Sequence, residues 1–300
     1  VRRAGLVLSG VAASVMLVGC GGGNGAPQAE APKPRTAETV EALSAGFKQA
    51  TQGKNSARMR FEMAAGDEKM SGDCSVAFGA SAEAMDCQVE SVEKGTPEKM
   101  RMLAKDKVVY VKGPDELEPG KSWLKLDTRS NNPLAAMMGK AFDSVSQVTD
   151  FEKSLPKGAK ILKTEQEKRD GQDLTRYEVE FDPKVLRANA KDRMEKLGAL
   201  ALQKAGVGAF HTTFWVNAEN LPVRFEMTVP APKTADKPME AKFSGTYTDW
   251  GKPVEVTVPP AEQVAEFPEI PGFQEAYEKQ MAEIDKKITE LERELDKSGK

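Results

Sequence analysis

From Met59 onward, apolar side chains recur at every second position in run after run, and most links between the runs are of turn length. No other feature constrains the fold as much. A period of two puts alternate side chains on opposite faces of an extended strand, so each run can bury one face. Links of a few residues join only antiparallel neighbours, because a parallel crossover needs a dozen residues or more. Met59, Phe61 and Met63 share one face of the first run, and Arg58, Arg60 and Glu62 share the other. Met70, Gly72, Cys74, Val76 and Phe78 line a face of the second, and Met85, Cys87 and Val89 a face of the third. With a tight turn over 79–82, Cys74 falls opposite Cys87 and Val76 opposite Met85. Opposed Cα atoms in an antiparallel pair lie about 4.5–5.5 Å apart, which a disulfide accepts. The reading is a structural Cys74–Cys87 bridge in a hairpin near the sheet edge, without a redox role.

Met100 and Met102 begin a further strand, 108–112 the next, and 122–126 a sixth after a turn over 114–120. Helical spacing interrupts the alternation. Thr36 is placed to cap a helix with Glu38 in its first turn; Val40, Leu43 and Phe47 follow, and Gly53-Lys54-Asn55 ends it. Asn132-Pro133 opens an apolar helix striped by Leu134, Met138, Ala141, Val145 and Val148, closed by Pro156 and Gly158. Arg169-Asp170-Gly171-Gln172 joins two alternating runs, and Asp-Gly there is a strong hairpin signal. Its register sets Leu162 against Val179, Thr164 against Tyr177 and Glu165 against Arg176. Asp182-Pro183 caps a second helix, with Leu186, Ala190, Met194, Leu197 and Ala201 as its stripe and Gly206 and Gly208 at its end. Strands are expected over 210–216, 223–229 and 239–249, and a short one through Val254, Val256 and Val258. Tyr277, Met281, Ile284, Ile288, Leu291 and Leu295 then form a short heptad seam wrapped in Glu and Lys, suited to a coiled coil or to a helix lying on the body.

The order of elements is α+β: one large curved antiparallel sheet, a half-open barrel, with helices covering its concave face and a C-terminal helix beyond. An open sheet of so many strands curls, and a curled sheet under apolar helices encloses space.

Ahead of all this stands Leu17-Val18-Gly19-Cys20, which resembles a bacterial lipobox. Arg2 and Arg3 supply a positive start, and 4–18 is uncharged and apolar, about the length of a signal h-region and short of the ~20 residues of a comfortable span. The resemblance implies cleavage before Cys20 and a diacylglyceryl-cysteine there. It divides the chain into a signal peptide (1–19), a Gly, Ala and Pro tether (20–35), a folded domain (36–260) and a charged helical tail (261–300). The tether spans roughly 20 Å root-mean-square. The expected place is the extracytoplasmic face of the cell membrane, an oxidising setting that favours the Cys74–Cys87 bridge.

The chain offers little for catalysis. The formal net charge of -3 is spread over interspersed acids and bases, with no basic stripe or Lys/Arg-rich arm for nucleic acid. A single histidine, His211, has no companions to complete a zinc site. Gly79-Ala80-Ser81-Ala82-Glu83 misses the nucleophile-elbow pattern at its last position and joins two strands, not a strand and a helix. Gly21-Gly22-Gly23 follows no strand and is no phosphate loop. No enzyme, cofactor or metal is expected.

Three further stretches carry a family resemblance: Lys121-Ser122-Trp123-Leu124-Lys125-Leu126-Asp127; Phe214-Trp215-Val216-Asn217 with Asn220-Leu221-Pro222-Val223; and Tyr247-Thr248-Asp249-Trp250-Gly251-Lys252-Pro253-Val254. With the lipobox, their order and spacing resemble actinobacterial LppX/LprG-type lipoproteins of LolA-like half-barrel fold, over 36–258. The resemblance implies a carrier of a lipid or glycolipid at the cell envelope, with acyl chains between sheet and helices. It implies the membrane and that lipid as partners, and an envelope transporter or other protein as a further class. The cysteine pair and the charged tail depart from the family pattern. Methionine, flexible and polarisable, suits an irregular apolar ligand as well as a core. The expected cavity lining is Met59, Phe61, Met100, Met102, Tyr177, Val179 and Phe225 on the sheet, with Leu134, Met138, Ala141, Val145 and Met194 on the helices. The competing expectation is an interaction lipoprotein with a filled core that docks a partner through its tail helix.

Overall fold

The computed structural model describes residues 36–77, 84–93, 95–116, 118–130, 155, 157–231, 240–266 and 273–298. Twelve strands form one sheet: β1 (Ser56–Ala65), β2 (Glu68–Ala77), β3 (Ala84–Glu93), β4 (Thr96–Lys105), β5 (Val108–Lys112), β6 (Trp123–Asp127), β7 (Lys160–Arg169), β8 (Gln172–Phe181), β9 (Phe210–Val216), β10 (Pro222–Val229), β11 (Ala241–Thr248) and β12 (Val264–Glu266). The described helices are α1 (Val40–Thr51), α2 (Pro183–Asn189), α3 (Arg193–Lys204) and α4 (Phe273–Ser298). The architecture is α+β, with an open, curved sheet.

The strand order is β12-β6-β5-β4-β3-β2-β1-β11-β10-β9-β8-β7. Every neighbour is antiparallel except β12, which runs parallel to β6. Two meanders, one from each half of the chain, therefore meet at the β1–β11 seam. Turn chemistry explains the hairpins. Asp170 and Gly171 both adopt positive φ, 50° and 79°, the twist that returns β7 into β8. Cys74 faces Cys87 and Val76 faces Met85, and a disulfide joins the cysteines. The bridge is not at an edge: β2 and β3 lie in the middle of the sheet.

Helix α1 lies on one face, which becomes the core. Its Val40, Leu43 and Phe47 pack with Met59, Tyr247, Phe225, Phe214 and Tyr177 from five adjacent strands. Leu186 of α2 and Leu202 of α3 add to the same cluster. The core continues through Cys74, Val76, Met85, Cys87, Ala104 and Val109.

Five local expectations are corrected. Thr39, not Thr36, caps α1: its hydroxyl accepts from the Ala42 N–H at 3.1 Å, and it directly precedes the first periodic residue, Val40. A bulge between Ile161 and Lys163 lets Ile161 face Val179 and leaves Leu162 47% exposed. The single helix expected after Asp182 is two. Ala190 ends α2, and Asp192 starts α3 by accepting from the Met194 and Glu195 N–H groups at 2.7 and 2.9 Å. Val254, Val256 and Val258 form no strand; Pro253, Pro259 and Pro260 remove ladder donors around them, and Val256 packs with Leu103 and Trp123 instead. The strand at this end is β12, so the sheet reaches past the 260 boundary into the tail.

The tail helix lies on the body. Ile288, Leu291 and Leu295 bury against Leu200 of α3, and Lys196 and Lys204 reach Glu292 and Glu294 at 2.9 and 2.7 Å.

Candidate functional site

The sheet's two faces differ in chemistry, and each offers a site. On the core face, cross-strand register lines up Met100, Val89, Gly72, Phe61, Gly245, Phe225, Phe214 and Tyr177 from β4 to β8. Two positions in this row must be glycine for packing. A Cβ on Gly72 would meet the Phe61 ring, and a Cβ on Gly245 would meet the Phe225 ring. Both phenyl rings therefore lie flat along the sheet. Phe243 meets Phe225 edge-on at 4.9 Å and Phe61 at 6.4 Å.

The parallel row holds Met70, Met63, Phe243, Met227, Thr212 and Val179. Here the face runs beyond the cluster under α1: Met63 is 40% exposed and, in the first row, Met100 is 38% exposed. Thr212 Oγ1 is buried without a hydrogen-bond partner among the described residues, a polar atom within an apolar row. Tyr177, by contrast, is satisfied: its hydroxyl accepts from the Ala37 N–H at 2.9 Å. Burial raises the Tyr177 phenol's pKa, and that of Tyr247 more strongly.

Of the sequence-derived cavity residues, Met59, Phe61, Tyr177, Val179 and Phe225 come together in the α1 cluster, and Met102 packs beside the disulfide. Met100 lies on the same face, at its uncovered part. Met194 does not belong with them: at the start of α3 it is 55% exposed, because the chain breaks at 190–192 and re-enters the helix with this side chain outward. The break had a sequence signal, Asp192-Arg193-Met194-Glu195, a capping-box spacing. Leu134, Met138, Ala141, Val145 and Cys20 lie outside the described residues.

The outer face carries the apolar cluster of Leu103, Tyr110, Trp123 and Val256 at β4–β6 and is otherwise polar and recessed. One recess of about 760 Å³ takes its lining from β5, β4, β3, β2, β1, β11 and β10. Phe61, Gly72, Val89, Met100 and Gly245 of the core-face row also line it, each between two outer-face neighbours of its own strand that line it too; Arg224 and Lys112 enter it without their core-face neighbours Phe225 and Val111, which places it on the outer side. Its cations are Arg60, Lys99, Arg101, Lys112 and Arg224, and its anions Glu62, Asp73 and Glu90. A second recess of about 530 Å³ adjoins it through Glu62, Ser71, Glu90, Arg224 and Ser244.

Register explains the charge. Lys112, Arg101, Gln88, Asp73, Arg60, Thr246, Arg224, Trp215, Arg176 and Glu165 form one continuous cross-strand row from β5 to β7. Asp73 binds Arg58 through two hydrogen bonds of 2.7 and 2.6 Å and Arg60 through one of 2.8 Å. The Arg58 bonds hold its carboxyl below the usual carboxylate range against some desolvation. The Trp215 ring, its Nε1–H given to Glu167 at 2.6 Å, lies under the guanidiniums of Arg169, Arg176 and Arg224 at 5.3–6.0 Å. Sequence reading saw no basic stripe because each strand contributes a single member.

His211 sits on this face with Nδ1 3.3 Å from Glu178. Among the described residues no cluster of three or more His, Cys, Asp or Glu could hold a metal ion, and no helix is long and apolar enough to cross a membrane. No protein-family model matches the chain, and no curated protein matches it.

Proposed function

We propose that the chain is a membrane-anchored envelope lipoprotein of the LppX/LprG type, which binds and carries a lipid or glycolipid on the apolar face of its sheet. One observation carries the reading: that face continues past α1, with Met63 and Met100 standing on it partly exposed. Each methylene moved from water onto such a surface contributes about 0.8 kcal/mol, so an acyl chain needs no polar contact to be held. Methionine accommodates the irregular fit. The lipobox at Cys20 supplies the anchor. Docking through the tail helix is less favoured, since Ile288, Leu291 and Leu295 of its seam are already buried on α3.

The test uses the full chain with Cys20→Ser, so that no anchor lipid confuses the measurement. Mass spectrometry of its organic extract should show a di- or triacylated lipid. Met63→Asp with Met100→Asp should empty the protein while its circular dichroism stays unchanged. A parent that carries no lipid and moves none between vesicles ends the carrier reading.

A further inference from the structure

The outer recess has no part in acyl-chain binding, yet its volume of about 760 Å³ is that of a small-molecule site. Its chemistry is donor-rich. Arg60 engages Asp73 only through Nε, at 2.8 Å, which leaves both Nη groups without a carboxylate among the described residues. Arg101 spends Nε and Nη2 on Asp86, at 3.0 and 2.7 Å, and keeps Nη1. Arg224 is bound on the same two nitrogens by Glu226. Lys112 has no carboxylate partner among the described residues; its ammonium stands 5.8 Å from the centre of the Trp123 ring. A guanidinium carries five N–H donors and no acceptor, so the spare hydrogens of this row call for an acceptor-rich group. Glu90 engages Lys99, and Asp86 and Glu226 engage Arg101 and Arg224 from outside the lining; the positive charge left over is that of Lys112 and of the two arginines that share Asp73, which suits an anionic group. Glu62 stands unpaired among the described residues in the same recess, and Ser71, Gln88 and Ser244 border it. These groups match hydroxyls, which donate to a carboxylate and accept from an amide. An inorganic anion alone would leave them unused.

We propose that this outer-face recess binds a phosphorylated polyol or sugar: the phosphate lies against Arg60, Arg101, Arg224 and Lys112, and the hydroxyls against Glu62 and its polar neighbours. The ligand reaches the site either as a free phosphosugar or as the headgroup of a phosphoinositide-like lipid. The site is on the opposite face from the acyl-binding surface and does not depend on it.

The experiment uses the full chain with Cys20→Ser, so that pelleting with vesicles cannot come from an anchor. In calorimetric titration, glucose 6-phosphate should bind, glucose should not, and binding should weaken as salt rises. Arg60→Ala with Lys112→Ala should weaken it by on the order of tenfold or more, the loss of two charge-assisted contacts. Both side chains are exposed, so the double variant keeps its melting curve. Lys160→Ala, an exposed lysine on β7 away from the recess, should leave binding unchanged. In the second arm the protein is pelleted with phosphatidylcholine vesicles, with and without phosphatidylinositol. Pelleting that requires phosphatidylinositol and is lost in the double variant identifies the lipid headgroup as the source. Binding of glucose 6-phosphate without such pelleting identifies a soluble phosphosugar. Failure of the parent to bind either probe, equal binding by the double variant, or equal affinity for glucose overturns the proposal.

Discussion

Gly72 shows how much a single missing side chain contributes to the core face. The Phe61 ring occupies the place a Cβ would take, and Gly245 does the same for Phe225. Gly72→Ala should cost about 1–3 kcal/mol of stability, the usual penalty for overpacking. Adding Phe61→Leu should recover most of it in a thermal melt; a Gly72→Ala protein as stable as the parent would show that the ring moves freely. On the other face, Asp73 links stability to pH. Its carboxyl pKa is depressed in the fold, chiefly by Arg58, so its contribution is fully present above the unfolded value and is lost as pH falls through the folded one. Asp127, pulled from 3.8 to about 2 by Arg129, extends the same window downward. The melting-temperature gap between the parent and Asp73→Asn should therefore be widest near neutrality and close as the pH falls below the usual carboxylate range. A gap constant from pH 7 to pH 2 would count against the Arg58–Asp73 link.

Among the elements, α4 takes one of the two roles its sequence suited, that of a helix lying on the body. Its heptad seam suited a partner helix, and the partner is α3 of the same chain. Ion pairs from Arg187, Arg193, Lys196 and Lys204 to acids of α4 add register, though such surface pairs are each worth little. Leu291→Ala should destabilise the docked helix by about 2–4 kcal/mol. Hydrogen exchange should then accelerate in α4 and α3 and stay unchanged in β1, β2 and β3. Uniformly faster exchange across the sheet would instead make α4 part of the global folding unit. The hairpins were legible at this scale: Asp170-Gly171 and the Cys74/Cys87 register follow from alternation and turn chemistry within a few residues. The misses were local competitions. Asp192 with Glu195 outweighed continued helical spacing, and the bulge at Ile161–Lys163 outweighed strict alternation. In both, a side chain or ladder offered the backbone an alternative that apolar periodicity does not report.

The molecule as a whole is an open sheet with unlike faces, and the proposed lipoprotein would present both at a membrane. Cys20→Ser should shift the protein from the membrane fraction to the soluble one, or leave it unprocessed; lipid labelling that persists in the mutant would rule out Cys20 as the attachment site. What the sequence by itself determined was the class: strands of period two on short links have no alternative to antiparallel pairing, and the apolar positions of most strands name the buried side. The amount of α+β sheet, the hairpin registers and the disulfide follow from contacts close along the chain. Only the tertiary structure decided that β1 pairs with β11, across most of the chain's length, and everything that depends on that seam. It ordered Lys112, Arg101, Arg60, Arg224 and Arg176 into one row, and it left Met63 and Met100 beyond the cover of α1 while burying Met59 beneath it. The physical reason is that cross-strand neighbours lie about 4.8 Å apart in space but up to the whole chain apart in sequence. Local periodicity tells each strand which face to bury, and only the summed packing of all twelve decides which strands stand side by side.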